Sequence, residues 1–153
     1  VLKAAHAHKG ASFIEIFQNC VVYNDDVFAP FTAREFAADR QLWLRAGEKM
    51  LFAGGAKGIA LDIERLTLKV VDGDDPSVLV HDPKNRGVAA MLIEMPAEGF
   101  PVALGVIYED PRPTFESAVI EQNAAAASGK TPDLQALVSK GQSWQVTKEP
   151  REL

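Results

Sequence analysis

The stretch SFIEIFQNCVVY, Ser12 to Tyr23, decides the reading of the fold. It is rich in β-branched and aromatic residues and predicts a strand. Phe13 and Phe17 share one parity with Glu15 and Asn19, while Ile14, Ile16, Gln18 and Cys20 take the other. The near-continuous apolar start suits an internal strand covered on both faces. Just upstream, VLKAAHAHKG reads as the last turns of a helix, with Val1, Leu2 and Ala5 on one face and Gly10 ending it. Helix, glycine, strand is the second half of a βαβ crossover whose first strand lies before residue 1. Two accounts stay open: a piece of a longer chain, or a whole protein that opens with a short helix.

Downstream, Asn24 to Thr32 reads as a loop, since Asn and Asp bond locally to backbone and Pro30 removes a donor. Thr32 and Glu35 fit a capping box opening a helix at Ala33, running to about Leu44 or Arg45, with Phe36 turned inward and Gly47 near its end. Gly54, Gly55 and Gly58 make a flexible connection before a strand in which Leu66, Leu68 and Val70 alternate with Thr67, Lys69 and Val71. These short strands with tight connections predict antiparallel pairing. Val78 to Asp82 and Phe100 to Asp110 read as further strands, and Arg86 to Met95 as a short helix stopped by Pro96. Pro113 precedes a helix from about Thr114 to Ala127, which Gly129 can end. A last helix spans Asp133 to Lys140, followed by a tail expected to be exposed apart from Trp144. The fold class is therefore α/β: parallel material in the first forty residues, then an antiparallel excursion.

The bulk composition agrees. The chain has 153 residues, 47% hydrophobic and 24% charged, which suits one globular domain. A net charge of -5 disfavours a nucleic-acid partner, because no basic surplus offsets phosphate repulsion. A single cysteine, Cys20, rules out an intrachain disulfide and argues against a secreted, stapled scaffold. No apolar run nears the roughly 18 residues of a membrane span. The first ten residues lack the apolar region of a signal peptide, so a cytoplasmic protein is expected.

No self-contained catalytic motif is present. GGAKG, Gly54 to Gly58, lacks phosphate-loop spacing and reads as a bend. His6 and His8 point apart on a helix, and a zinc site needs more ligands nearby. His81 and Asp82 are adjacent in a strand and so face opposite ways. Asp25 and Asp26, with Asp72, Asp74 and Asp75, show no EF-hand pattern and read as solvated turn carboxylates. None of the serines sits in a nucleophile elbow. Cys20 differs: it ends the apolar stretch and precedes the polar loop, at the strand-to-loop edge where α/β proteins place chemistry. Three readings are open for it: a buried inert thiol, a nucleophile lacking a visible base, or one ligand of a metal centre.

Taken together, HKGASFIEIFQNCVVYNDD resembles the H-K-G-x-S-F-[IV]-E-[IV]-x-Q-x-C segment of β subunits of 2-oxoacid:ferredoxin oxidoreductases, which continues with an aromatic residue, Asn and often Asp-Gly. His8, Lys9, Gly10, Ser12, Phe13, Glu15, Gln18, Cys20, Tyr23, Asn24 and Asp25 fall into the pattern. LWLRAGEKMLFAGGAKGIALD and VALGVIYEDPRPTFESAV resemble later blocks of the same subunits, so the likeness covers at least residues 1–120. Lys57 and Arg112 match family positions, which the resemblance assigns to subunit contact, and Asp26 departs by standing where the family often has glycine.

The resemblance implies the C-terminal part, residues 1–153, of a doubly wound subunit that binds thiamine diphosphate with Mg²⁺ and a [4Fe–4S] cluster. With a partner subunit of the α or γ type, such enzymes convert a 2-oxoacid and coenzyme A into acyl-CoA and CO₂ and pass electrons to ferredoxin; 2-oxoglutarate is the favoured substrate. By the same resemblance, Cys20 matches the fourth cluster cysteine, and Asn24 and Asp25 line the cofactor edge. Three further cluster cysteines and the GDG-type Mg²⁺–diphosphate motif belong to an upstream region and do not occur in this sequence. Four thiolates usually hold such a cluster, so this chain alone is expected to be inactive and to hold none. The alternatives are a non-catalytic structural or subunit-interaction domain, and a thiamine-dependent portion without electron transfer.

Overall fold

The computed structural model describes residues 1–96, 98–142 and 144. It divides into two compact units, Val1–Arg112 and a second beginning at Pro113. In the first unit, three short helices, α1 (Leu2–Ala7), α2 (Ala29–Thr32) and α3 (Ala37–Arg40), precede strand β1 (Gln41–Leu44). Strands β2 (Leu51–Phe52), β3 (Lys57–Asp62) and β4 (Thr67–Asp72) follow, then helix α4 (Arg86–Ile93) and strand β5 (Val102–Gly105).

β1 and β5 pair in parallel, from Gln41 opposite Val102 to Leu44 opposite Gly105. β2, β3 and β4 form an antiparallel meander inserted in sequence between those two strands. The β3–β4 hairpin closes on Asp62, whose carboxylate accepts from the backbone N–H groups of Glu64 at 3.1 Å and Arg65 at 3.2 Å. This local bonding, with Leu66 in the left-handed region at φ 54°, reverses the chain without glycine. Parallel and antiparallel pairing are both present, as an α/β fold with an antiparallel excursion requires.

The core joins these pieces. Leu42, Leu44, Met50, Phe52, Ile59, Leu68 and Leu92 form one buried cluster, so β1, the meander and α4 share it. Full burial of a side chain of this kind contributes about 1.5–3 kcal/mol. Asn85 caps α4 by accepting from the Val88 N–H at 3.1 Å, and Ala89 and Leu92, three apart, turn one face inward. Gly73 is fixed by close approach: a Cβ there would lie 1.9 Å from the Gly55 carbonyl oxygen. The GGAKG bend is thus packed against the end of the hairpin, and Gly58 already belongs to β3.

Several expectations are corrected. Ser12 to Tyr23 is not a strand: residues 11–19 have no regular structure, and a tight turn follows at Cys20. A strand persists by hydrogen-bonding to a neighbour, and among the described residues none lies beside this segment. Phe13 is 93% and Ile16 69% exposed. The parallel pairing therefore lies at β1 and β5, outside the first forty residues. The helix expected from Ala33 to about Leu44 breaks up, because QLWL buries Leu42 and Leu44 while Trp43 stays exposed. That alternation has the period of a strand. Thr32 ends α2 rather than opening a helix, and its hydroxyl donates to the Phe28 carbonyl at 2.9 Å. Phe36 is exposed just before α3 rather than turned inward. Val78 to Asp82 forms only single bridges, Val78 to Ala60 and Val80 to Lys49, and the strand expected over Phe100 to Asp110 shrinks to β5.

The helices expected at the N terminus and over Arg86 to Met95 are present as α1 and α4. In the second unit, helices α5 (Phe115–Ala127) and α6 (Leu134–Ser139) also match the reading. Thr114 caps α5 by accepting from Ser117 N–H at 3.2 Å, and Asp133 caps α6 through Ala136 N–H at 2.9 Å. Trp144, expected to be covered, is exposed. The rest of the tail, from residue 145, lies outside the described residues.

Candidate functional site

Cys20 opens a tight turn. Its carbonyl accepts from Asn24 N–H at 2.9 Å, and the two residues form an isolated antiparallel bridge. The chain bends here as the Asn19 and Asp25 side chains bond to each other and both accept from the Asp26 N–H, instead of extending the apolar segment. Cys20 is exposed, so it is not a buried, inert thiol. The backbone N–H groups of the turn, chiefly that of Tyr23 and then that of Val22, hold its pKa below the ordinary thiol value; desolvation opposes them and Asn24 adds a smaller effect. The turn thus favours thiolate, the form that acts as metal ligand or nucleophile.

A second set of bonds closes the loop behind the turn. Asn19 Nδ2 donates to Asp25 Oδ1 at 2.8 Å, and Asp26 N–H donates to Asn19 Oδ1 at 2.9 Å and to Asp25 Oδ1 at 3.0 Å. Asp26 stands at φ 57°, the left-handed region that glycine enters freely. Asp26 occupies the position where the resembling subunits often carry glycine, and its backbone takes the conformation that favours glycine. The Phe17 and Phe28 rings stack on either side in sequence, with centroids 4.9 Å apart. Cys20, Asn24 and Asp25 therefore come together on one loop. Asp25 spends one carboxylate oxygen on the loop itself. Asn19 carried no signal in the sequence, since its bonds join residues six and seven apart in an irregular segment.

A separate cleft of about 390 Å³ is lined by Ala46, Gly47, Val80, His81, Lys84 and Glu109, among others. His81 is only 2% exposed, and its Nε2 bonds to the Val106 carbonyl at 2.8 Å. That bond makes Nε2 the protonated nitrogen and Nδ1 an acceptor. Nδ1 is buried and has no hydrogen-bond partner. Asp82 is exposed and accepts from Lys84 N–H, so the His81–Asp82 pair does not assemble. His6 is exposed on α1, and His8, half-buried, follows it. Asp75 accepts from Ser77 Oγ and N–H, a turn carboxylate as expected, and those bonds hold its pKa down. Arg112 pairs with Asp110, whose hydrogen bond and charge raise the guanidinium pKa further, and Lys57 opens β3 exposed.

Among the described residues, no three His, Cys, Asp or Glu side chains are grouped to hold a metal ion. Cys20 is chemically fit to supply one thiolate of an iron–sulfur cluster: it is accessible, and the backbone of its turn favours the thiolate form. No helix among the described residues is long and apolar enough to cross a membrane.

No protein-family model matches the chain, and no solved structure matches it. Among curated proteins, the chain is 28% identical over 166 aligned positions to the 2-oxoglutarate oxidoreductase subunit KorB of Mycobacterium tuberculosis, covering 95% of this chain and 41% of that relative. The chain thus spans less than half the length of the relative it matches. The resemblance carried by HKGASFIEIFQNCVVYNDD and the two later blocks is supported independently: this chain is similar to a subunit of a 2-oxoacid oxidoreductase.

Proposed function

We propose that the chain is the C-terminal portion of the thiamine-diphosphate subunit of a 2-oxoacid:ferredoxin oxidoreductase, with 2-oxoglutarate as the 2-oxoacid. Similarity to KorB, a 2-oxoglutarate oxidoreductase subunit, along nearly the whole chain carries this reading. The complete enzyme takes a 2-oxoacid and coenzyme A to acyl-CoA and CO₂, the two electrons released going to ferredoxin, with a second subunit type completing the complex. When bound, thiamine diphosphate with Mg²⁺ supplies the electron sink for decarboxylation, and the [4Fe–4S] cluster supplies the one-electron path outward. The residues of this chain hold and position. Cys20 donates one thiolate to the cluster, and the N–H groups of Tyr23 and Val22 offset the negative charge at its sulfur. Asn24 and Asp25, on the same loop, lie at the cofactor edge.

The test is metal content. The full-length subunit should contain iron and labile sulfide, and Cys20→Ala should lose the cluster or render it labile. A subunit that assembles no cluster, or one that keeps it fully after Cys20→Ala, contradicts the redox role and favours a structural one. Ferredoxin-linked, coenzyme-A-dependent oxidation measured across several 2-oxoacids then decides the substrate; indifference to 2-oxoglutarate rejects that choice.

A further inference from the structure

We propose that in the full-length subunit the Trp43 face of the β1–β5 sheet is covered by the part of the same polypeptide that precedes Val1; the proposal rests on the reading of this chain as a C-terminal portion. Strand register sorts the residues of the sheet between its two faces. Leu42 stands opposite Ala103 and Leu44 opposite Gly105, and this face is packed: Leu42 and Leu44 are buried in the core and Ala103 lies against it. Trp43 stands opposite Leu104 and Gln41 opposite Val102, so these four share the other face. Gln41 and Trp43 meet there, the indole N–H donating to Gln41 Oε1 at 3.2 Å. Trp43 is nevertheless 61% exposed, and Val102 and Leu104 are only half-buried.

Both faces of this sheet are therefore apolar, and only one is covered. Parallel strands are joined by crossovers that lie on a face, and parallel sheets occur with both faces covered. The crossover from β1 to β5 contains the meander and α4, whose Phe52, Ile59, Leu68 and Leu92 join Leu42 and Leu44 in one cluster. That single crossover accounts for the packed face and leaves the Trp43 face bare. Two strands also lie at the low end for a sheet, and among the described residues no strand pairs with the outer edge of β1 or of β5. Further parallel strands, with helices to cover the second face, need a long stretch of chain. The relative that matches nearly all of this chain is more than twice as long, since the match takes up 41% of it. The upstream portion supplies that length within one polypeptide. The face itself suits an intrachain layer, because Gln41, Trp43, Val102 and Leu104 include no charged side chain.

Photo-crosslinking tests the proposal. The substitution Trp43→p-benzoylphenylalanine keeps an aromatic ring at the position and is made in the full-length subunit within its complex. Peptide mass spectrometry after irradiation identifies what the ring reaches. Cross-links should run to residues upstream of Val1 in the same polypeptide. Cross-links to residues 113–153, to a subunit of another type, or to a second copy (told apart by mixing isotopically light and heavy protein) overturn the proposal, and so does the lack of any cross-link. Hydrogen–deuterium exchange needs no substitution. Amides of residues 41–44 should exchange at least about tenfold more slowly in the full-length subunit than in this chain, because a covered strand opens less often; equal rates overturn the proposal. The enzymatic reading fails separately. A full-length subunit that holds neither cluster nor thiamine diphosphate, yet cross-links from position 43 to its upstream part, refutes that reading and supports the covered face. Cross-links to the partner subunit alone refute the covered face and leave the enzymatic reading intact. A reading frame with no coding sequence upstream of Val1 sinks both.

Discussion

Replacing His81 separates two opposing energies that meet on one buried ring. His81 is 2% exposed, its Nε2 bonds Val106 at 2.8 Å, and its Nδ1 has no partner. His81→Ala removes the bond and leaves the Val106 carbonyl unpaired, at about 1–2 kcal/mol for this half-buried group. It also leaves a cavity where the ring stood, adding about 2 kcal/mol. The expected loss is therefore about 3–4 kcal/mol. His81→Phe leaves the same carbonyl unpaired but refills the space and removes the orphaned Nδ1, whose buried state costs about 1–2 kcal/mol. These terms nearly cancel, and the expected change is within about 1 kcal/mol. Urea denaturation at neutral pH followed by circular dichroism reads both. With a slope near 2 kcal/mol/M, the midpoints of the two variants should differ by about 1 M or more. Equal destabilisation by Phe and Ala would refute the reasoning, because it would mean that Nδ1 carries no penalty and that the polar contact alone anchors the loop.

Two further outcomes are expected. Gly73→Ala places a methyl group 1.9 Å from the Gly55 carbonyl oxygen, so it should force the GGAKG bend away from the hairpin and cost about 2–3 kcal/mol, read by the same denaturation; a neutral result would show that the bend is not packed there. The thiol of Cys20 titrates low in the fold, so the folded state gains from it as pH rises through the folded pKa toward the unfolded value near 8.5, and that gain is lost again as pH falls through the folded pKa. Rates of iodoacetamide alkylation plotted against pH should accordingly rise at lower pH for the folded chain than for the chain in 6–8 M urea (about the range that unfolds small domains), and coincident curves would show that the turn amides do not reach the sulfur.

Local chemistry was the legible part of the fold. The helices read over Arg86 to Met95, Thr114 to Ala127 and Asp133 to Lys140 are present, capped by Asn85, Thr114 and Asp133, whereas the capping box read at Thr32 and Glu35 does not form. The antiparallel meander was legible from the alternation around Leu68 and Val70, of which Leu68 joins the core. Pairing was not legible, because it depends on what lies alongside. QLWL carries good helix formers, yet its contact with β5 sets it as a strand. SFIEIFQNCVVY carries a strong strand signal and, with no neighbour among the described residues, forms none. The loop of the candidate site was half readable. The spaced block around Cys20 marked the cysteine and the two residues after the turn. The bonds of Asn19 to Asp25 and Asp26 were hidden, since an amide can bond in any direction and nothing in the letters fixes its partners. The departure at Asp26 was visible in the letters, but only the backbone shows that aspartate takes the conformation usually left to glycine.

The meander inserted between β1 and β5 also sets an order of events during folding. Gln41 meets Val102 only after the whole intervening stretch has been drawn in, whereas β3 and β4 are joined by a short hairpin turn. Closing a long loop costs more chain entropy than closing a short one, and distant pairings form late. The hairpin and its neighbours therefore serve as the nucleus, and the parallel pair closes onto them. Trimming Leu68 in β4 should slow refolding, while trimming Leu104 in β5 should mainly hasten unfolding. Stopped-flow measurements on the two variants would distinguish this order from its reverse.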